Sequence, residues 1–348
     1  MALETKHSYI PTGLEGIDSL TLSRFVLQMQ QMSAEATGDL TILMNALQIS
    51  CKVVETCVRR AGIAKLYGLA GSGNVQGEDQ KKLDIIANDA FKENLEDCGR
   101  VSVMVSEEDD EAIVCSKATT HKYAIAFDPL DGSSNIDANV SIGTIFAIYR
   151  LDASSVSKTP DEGAKAIMQT GRNIVVAGYA MYGSATNLVL SFGEGVNGFT
   201  LDPSIGEFVL THPGIQIPKT GKIYSVNEGN AANWDKATTK FVENSKYPEI
   251  GKAKSLRYIG SMVADVHRTL LYGGIFMYPA DAKSPTGKLR LLYEAAPMAY
   301  LMEAAGGKAT TGQVDILDIV PDSIHQRVPV YMGSSDDIDA IVSLYQSQ

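Results

Sequence analysis

The stretch Tyr123–Asn135, reading Tyr-Ala-Ile-Ala-Phe-Asp-Pro-Leu-Asp-Gly-Ser-Ser-Asn, constrains this chain more than any other. The apolar run 123–127 reads as a buried strand. Pro129 then fixes a backbone angle and removes a donor, and Gly132 can take conformations closed to other residues. The expectation is a strand that delivers Asp128 and Asp131 into a Pro/Gly turn, where the two carboxylates converge. Convergence of like charges is costly unless a cation lies between them. Gly132, Ser133 and Ser134 offer backbone N–H groups and hydroxyls that suit a phosphate. Hard oxygen ligands beside such a cradle point to Mg²⁺-type chemistry. Taken alone, the same residues also read as an Asx-capped surface turn.

Other acidic groups recur at element ends. Val101–Ser106 reads as a strand that closes on Glu107 and Glu108, and Glu294 lies in Lys-Leu-Arg-Leu-Leu-Tyr-Glu from Lys288. By itself the run Glu107–Glu111 is a solvated acidic loop, and Glu294 is a helical Glu paired to Arg290. If the two strands are neighbours, four carboxylates meet at one sheet edge and require divalent cations. Lys288 and Arg290 flank the same place, a mobile point charge and a fixed fork for substrate phosphates. A basic–aromatic cluster, Arg257 to Met262 with Asp265, His267 and Arg268, reads as a strand-to-helix junction whose helix start presents N–H groups to an anion.

Composition narrows the classes. The 348 residues are 45% apolar and 20% charged, which suits a soluble protein of about two domains. A net charge of −11 without a basic tract argues against nucleic-acid binding. Cys51, Cys57, Cys98 and Cys115 show no Cys-x-x-Cys or zinc spacing, which points to a reducing, cytoplasmic setting. No signal pattern occupies the first thirty residues, and the longest apolar stretch, 289–305, is too short and too charged to span a membrane. The glycines at 68, 71 and 73 match neither the phosphate-binding P-loop nor the dinucleotide fingerprint.

Periodicity predicts helices over 21–34, 38–61 (with a Thr or Asp cap) and 80–95. It predicts strands at 101–106, 123–127, 141–150, 173–182, 186–192, 197–201 and 207–211. Residues 62–80, rich in glycine, read as a mobile loop. After a proline- and glycine-bearing boundary at 211–218, strands are expected at 223–226, 275–278 and 328–332, and helices at 234–245, 262–272, 288–305 and 336–345. The fold class is layered α/β, with mixed sheets stacked against helices in two domains, 1–212 and 213–348.

These residues resemble a known family. Ser106-Glu107-Glu108 followed by Asp128 to Ser134 resembles the metal-dependent, lithium-sensitive sugar-phosphate phosphatases. Leu66 to Gly71, Lys81 to Asp84, Ser141 to Phe146, Tyr224 to Gly229, Arg257 to Arg268 and Lys283 to Pro297 are similar to class I fructose-1,6-bisphosphatase. The resemblance runs from about Leu20 to the C-terminus and implies an α-β-α-β-α sandwich. It implies hydrolysis of fructose 1,6-bisphosphate to fructose 6-phosphate and phosphate in gluconeogenesis.

The carried-over metal ligands are Glu107, Asp128, Asp131, Glu294 and the carbonyl of Leu130. The ion is Mg²⁺, with Mn²⁺ or Zn²⁺ able to substitute. Glu108 and Asp84 orient and deprotonate the attacking water, and Glu78, standing where the family usually has Asp, is a further catalytic position with a ligand or base role. Gly132, Ser133 and Ser134 face the 1-phosphate. Asn227, Arg257, Tyr258 and Tyr278 match the 6-phosphate pocket, and Met262, Lys288 and Arg290 the sugar site. In the family Arg257 reaches in from a neighbouring subunit, which implies an oligomer, a homotetramer. Asn230 replaces the phosphate-contacting Tyr of many relatives.

The resemblance also implies inhibition by AMP, bound by Thr37, Gly38, Asp39 (usually Glu), Leu40 and Thr41 with Lys122, Tyr123 and Arg150, and acting through the 62–80 loop. No cysteine occurs at 150–172, so the thioredoxin control of plastid members is not expected. Alternatives are a sedoheptulose-bisphosphatase, an inositol-monophosphate-type phosphatase, or a nucleotide-sensing scaffold without catalysis. Residues 1–20 are the least family-like.

Overall fold

In the computed structural model two large sheets alternate with three layers of helix, and two further two-stranded pairings lie outside them. The structure describes residues 20–32, 36–64, 66, 68–73, 79–152 and 156–347. The larger sheet has eight strands drawn from residues 101–215, and the smaller has five drawn from 223–333. In the larger sheet Val101–Ser106 pairs parallel with Tyr123–Asp131, which pairs antiparallel with Ile142–Arg150. The meander then continues to Glu207–Ile215.

Both faces of the large sheet are buried, and successive residues serve opposite cores. Ile125, Phe127, Phe146, Ile148 and Val176 face helices Leu22–Met32, Asp39–Arg60 and Lys82–Asp97. Ala124, Ala126, Ile145, Ala147 and Tyr179 face Met262–Tyr272 and Ala296–Ala304, which also pack on the small sheet. Lying between two sheets explains why Ala296–Ala304 is apolar on most of its circumference. Lys236–Lys246 and Ser335–Gln346 cover the outer face of the small sheet. The order is helix, sheet, helix, sheet, helix, as expected. Among the described residues, no helix is long and apolar enough to cross a membrane.

Several expectations are corrected. The strand from Tyr123 does not stop at Phe127 but runs to Asp131. Asp128 pairs with Ile145 and Asp131 with Gly143, so three steps on one strand oppose two on the other. Pro129 sits in that bulge, where the ladder needs no N–H from it. The expected strand 328–332 is split by Pro329 into Arg327–Val328 and Val330–Gly333, which join different sheets. The expected helix 288–305 begins instead as strand Leu289–Arg290, then a π-turn Leu291–Ala295, and becomes α-helical only at Ala296. Pro297 has no N–H for an α-type bond back to Tyr293, so the preceding turn widens.

The glycine-rich 62–80 stretch, read as a loop, contributes to a short antiparallel pairing of Leu69–Gly73 with Asp79–Lys81. The second helix is not capped by a Thr or Asp side chain. Gly38 is its N-cap at φ 84°, a conformation that glycine adopts without strain. Helix Pro160–Ile167 was not anticipated, although Thr159 caps it by accepting from Glu162 N–H and Pro160 opens it. Strand Glu207–Ile215 extends into the expected boundary region.

Candidate active site

The parallel pairing of Val101–Ser106 with Tyr123–Asp131 brings Glu107 beside the Asp128 turn. Glu107 N–H continues the ladder, donating to Phe127 O at 3.1 Å. Ser106 Oγ donates to Asn88 Oδ1 at 2.7 Å and accepts from Glu108 N–H at 3.2 Å, which ties this strand end to helix Lys82–Asp97. Phe91 stacks on Phe127 at 5.3 Å and holds the same helix against the sheet.

Asp128, Asp131 and Glu294 are each aimed by a backbone donor. Asp128 Oδ1 accepts from Leu130 N–H at 2.9 Å, and Asp131 Oδ2 accepts from Val263 N–H at 3.0 Å. Val263 lies in the first turn of a helix, where N–H groups lack intrahelical partners. Its neighbour Gly143 makes the approach possible: a Cβ there would come within 2.4 Å of Ala180 O and 2.7 Å of Val263 Cγ1. Glu294 sits in the π-turn and accepts from Arg290 N–H.

Asp128, Asp131 and Glu294 each place an oxygen within 4.8 Å of the others, and all three are buried. Glu107 is buried beside them, and the Arg290 guanidinium lies 2.9 Å from it and 4.0 Å from Glu294. Burial pushes Asp131 up to about 7 and Glu294 up to about 8, with repulsion from Glu107 adding to both. Asp128 is driven well upward by burial and then by Glu107, Asp131 and Glu294. One guanidinium among four carboxylates leaves negative charge uncompensated. An all-oxygen donor set in that state fits divalent cations.

Asp84 stands in the first turn of helix Lys82–Asp97, where it accepts from Lys81 N–H at 2.7 Å. Burial, then the charge of Glu107, raises it to about 6. Among the described residues none donates a bond of normal geometry to its Oδ1. Asp84, Glu107, Glu108, Asp128, Leu130, Asp131, Gly132, Ser133, Ser134, Tyr278, Lys288, Arg290 and Glu294 line one cleft of about 500 Å³, with Lys81. Glu78 falls outside the described residues.

Tyr278 also lines a smaller adjoining pocket with Asn227, Tyr258 and Asn230, joined by Trp234 and Asp281. Two expected residues are not in either space. Arg257 is exposed and donates to Leu256 O at 2.7 Å, and Met262 is buried in the first turn of its helix. Sequence reasoning missed Lys81 as a cleft residue, Trp234, and the Val263 N–H, which as a backbone donor leaves no mark in residue type.

A separate cavity of about 260 Å³ gathers Thr37, Gly38, Leu40, Thr41, Tyr123 and Arg150 at the start of the second helix, with Gln30 and Phe192. Asp39 and Lys122 are not among its lining residues. Asp39 is buried between Lys122 Nζ at 2.7 Å and Arg100 Nε at 3.0 Å, and accepts from Thr37 Oγ1 at 2.6 Å. Burial opposes its ionisation, but Lys122, Thr37 and Arg100 together hold its carboxyl below the usual range.

Comparison with known proteins gives a consistent picture. Residues 20–213 match the model of the fructose-1,6-bisphosphatase N-terminal domain, and 217–346 that of the C-terminal domain. The chain is 59% identical over 332 residues to the cytosolic fructose-1,6-bisphosphatase of Oryza sativa subsp. indica, covering 95% of this chain and 96% of the relative. It is 58% identical to that of Arabidopsis thaliana over the same length and shares. The crystal structure of Leishmania major fructose-1,6-bisphosphatase in holo form superposes with a TM-score of 0.90 at 48% identity, over 94% of this chain and 99% of the other. Fold, site and both matched domains make this chain a member of the fructose-1,6-bisphosphatase family.

Proposed function

We propose that Glu107, Asp128, Asp131 and Glu294, with the Leu130 carbonyl, hold Mg²⁺ beside the 1-phosphate of a sugar bisphosphate, and that Asp84 and Glu108 manage the proton of the attacking water. The reaction is hydrolysis of fructose 1,6-bisphosphate to fructose 6-phosphate and phosphate in gluconeogenesis, it depends on a divalent metal, and the enzyme is cytosolic, as its relatives are named. The observation that carries the site assignment is the convergence of distant, buried carboxylates around one guanidinium. Oxygen-only donors favour Mg²⁺ or Mn²⁺ over Zn²⁺, which prefers nitrogen and sulfur.

Bound there, a divalent ion neutralises phosphate charge and acidifies water. The chain's own groups do the rest. Gly132, Ser133 and Ser134 present donors to the 1-phosphate, and Lys288 and Arg290 add positive charge at the cleft. Asp84, raised to about 6, is largely ionised at neutral pH and is steadied by the Lys81 N–H and the Ser133 hydroxyl. It can take the proton that the water loses, with Glu108, which lines the same cleft, as its partner. Asn227, Tyr258 and Tyr278 form the adjoining pocket for the 6-phosphate. Asn230 lines it with a short amide where many relatives have a phenol.

Arg257 is exposed in the single chain, which suits a residue that completes a neighbour's 6-phosphate pocket in a tetramer. The cavity at residues 37–41 suits AMP, because helix N–H groups and Arg150 match a phosphate. In this reading residues 1–212 form the AMP-binding half with the metal-bearing loops, and 213–348 the substrate half. Phosphate release from fructose 1,6-bisphosphate across a Mg²⁺ titration tests the reading; turnover undiminished in excess EDTA would overturn it.

A further inference from the structure

The segment leading to Arg327–Val328 runs beside the strand that carries Arg290. Leu289 pairs with Val328 and Arg290 with Arg327, and Leu291 N–H donates to Gln326 O at 2.7 Å. This places His325 between two separately supplied pieces of the carboxylate site. Its Nδ1 lies 2.8 Å from the hydroxyl of Tyr293, the residue before Glu294. Its Nε2 lies 3.1 Å from the Asp109 carbonyl and 3.3 Å from the Asp110 carbonyl, just beyond Glu107 and Glu108.

The chemistry sets the direction of each bond. A carbonyl only accepts, so Nε2 carries the proton and donates. Burial holds the imidazole below its ordinary range, so the ring is neutral, Nδ1 accepts, and the Tyr293 hydroxyl donates. Tyr293 and His325 pack edge to face at 5.8 Å, which fixes the ring plane. From the opposite side, Asp109 is held by Asn88 Nδ2 at 3.0 Å and Lys92 Nζ at 2.8 Å. The acidic loop is therefore gripped between helix Lys82–Asp97 and His325.

We infer that His325 is a positioning residue: the link Tyr293–His325–Asp109 ties the segment bearing Glu294 to the loop bearing Glu107 and Glu108, and so sets the spacing of carboxylates drawn from the two halves of the chain. His325 is not among the residues lining the cleft, so it acts through the backbone and hydroxyl that it joins. The need for such a tie is electrostatic. Like-charged groups on separate segments push those segments apart, and groups behind the ligands hold them at binding distance.

The inference rests on the metal reading above, and Mn²⁺ binding followed by the EPR signal of free Mn²⁺ separates the two. If the unaltered enzyme binds no Mn²⁺, the metal reading fails. If it binds, His325→Leu is expected to weaken binding about tenfold, the lower end for groups behind metal ligands. His325→Gln, whose amide N–H can reach the same carbonyls, is expected to recover most of that loss. Tyr293→Phe, which removes one hydroxyl and leaves the packing, is expected to weaken binding about threefold and serves if His325→Leu does not fold. Unchanged Mn²⁺ affinity in a folded His325→Leu enzyme, or in Tyr293→Phe, would overturn the inference. So would a His325→Gln enzyme as weak as the leucine variant, since packing alone would then explain the residue.

Discussion

Arg290 Nη1 lies 2.9 Å from Glu107 Oε1, joining the strand that enters the π-turn to the end of the first strand of the large sheet. Both side chains are nearly excluded from water. The guanidinium is the one cation whose ion pairs with this cluster are seen among the described residues. It balances part of a charge that the fold has concentrated.

Removing that cation leaves buried carboxylates unpaired. Arg290→Met is expected to lose about 3–5 kcal/mol of stability in EDTA. Millimolar Mg²⁺ should restore much of the difference, because the ion supplies the missing charge. Urea denaturation with and without Mg²⁺ measures both; equal stability of variant and parent in EDTA would refute the account.

Stability should depend on pH in a direction opposite to that of most carboxylates. Asp131 rises from an ordinary 3.8 to about 7, and Glu294 from 4.5 to about 8. At intermediate pH the folded chain therefore holds more protons than the unfolded chain. That contribution is complete below the ordinary values and is lost as pH rises through the raised ones. In EDTA the melting temperature should fall between about pH 5 and about pH 8.5, and the stabilisation by Mg²⁺ should grow over the same range. A metal-free melting temperature that climbs across that window would contradict the arrangement.

On the proposed metal reading, Asp131→Ala removes a ligand and a repelling charge together. Phosphate release should fall at least about a hundredfold, while metal-free stability holds or rises. Assay and calorimetry on one preparation decide it, and turnover near the parent's would exclude Asp131 as a ligand.

Gly143→Ala tests how the helix start is brought to Asp131. The added Cβ meets the backbone oxygen of Ala180 on the neighbouring strand and the Val263 side chain, so both the strand pairing and the helix must give way. We expect a loss of about 1–3 kcal/mol from overpacking and a higher Mg²⁺ requirement for activity. A variant with parental stability and Mg²⁺ response would show that the contact yields easily.

If the cavity beside the second helix takes AMP as proposed, Arg150→Ala should raise the AMP concentration for half-inhibition about tenfold, because it removes the charge-assisted contact assigned to the phosphate. An enzyme equally active with and without millimolar AMP at saturating Mg²⁺ would remove the allosteric proposal altogether.

Local order was readable because it depends on near neighbours. Apolar runs at 101–106 and 141–150 predicted strands, the 3.6-residue spacing at 38–61 predicted a helix, and Asp-Pro-Leu-Asp-Gly marked a turn bearing two carboxylates. Where local pattern misled, a proline redirected the chain: Pro297 widened the turn before it so that Glu294 sits in a π-turn, and Pro329 divided one expected strand between two sheets. Periodicity carries no information about which element lies beside which. Glu107, Asp128 and Glu294 converge only because a parallel strand pair, a bulge at Pro129 and a helix sandwiched between two sheets are assembled together. The chain's residue types thus determined what chemistry was possible. Tertiary packing alone decided that these charges share one buried space, because the cost of crowding them is met by contacts spread over the whole core.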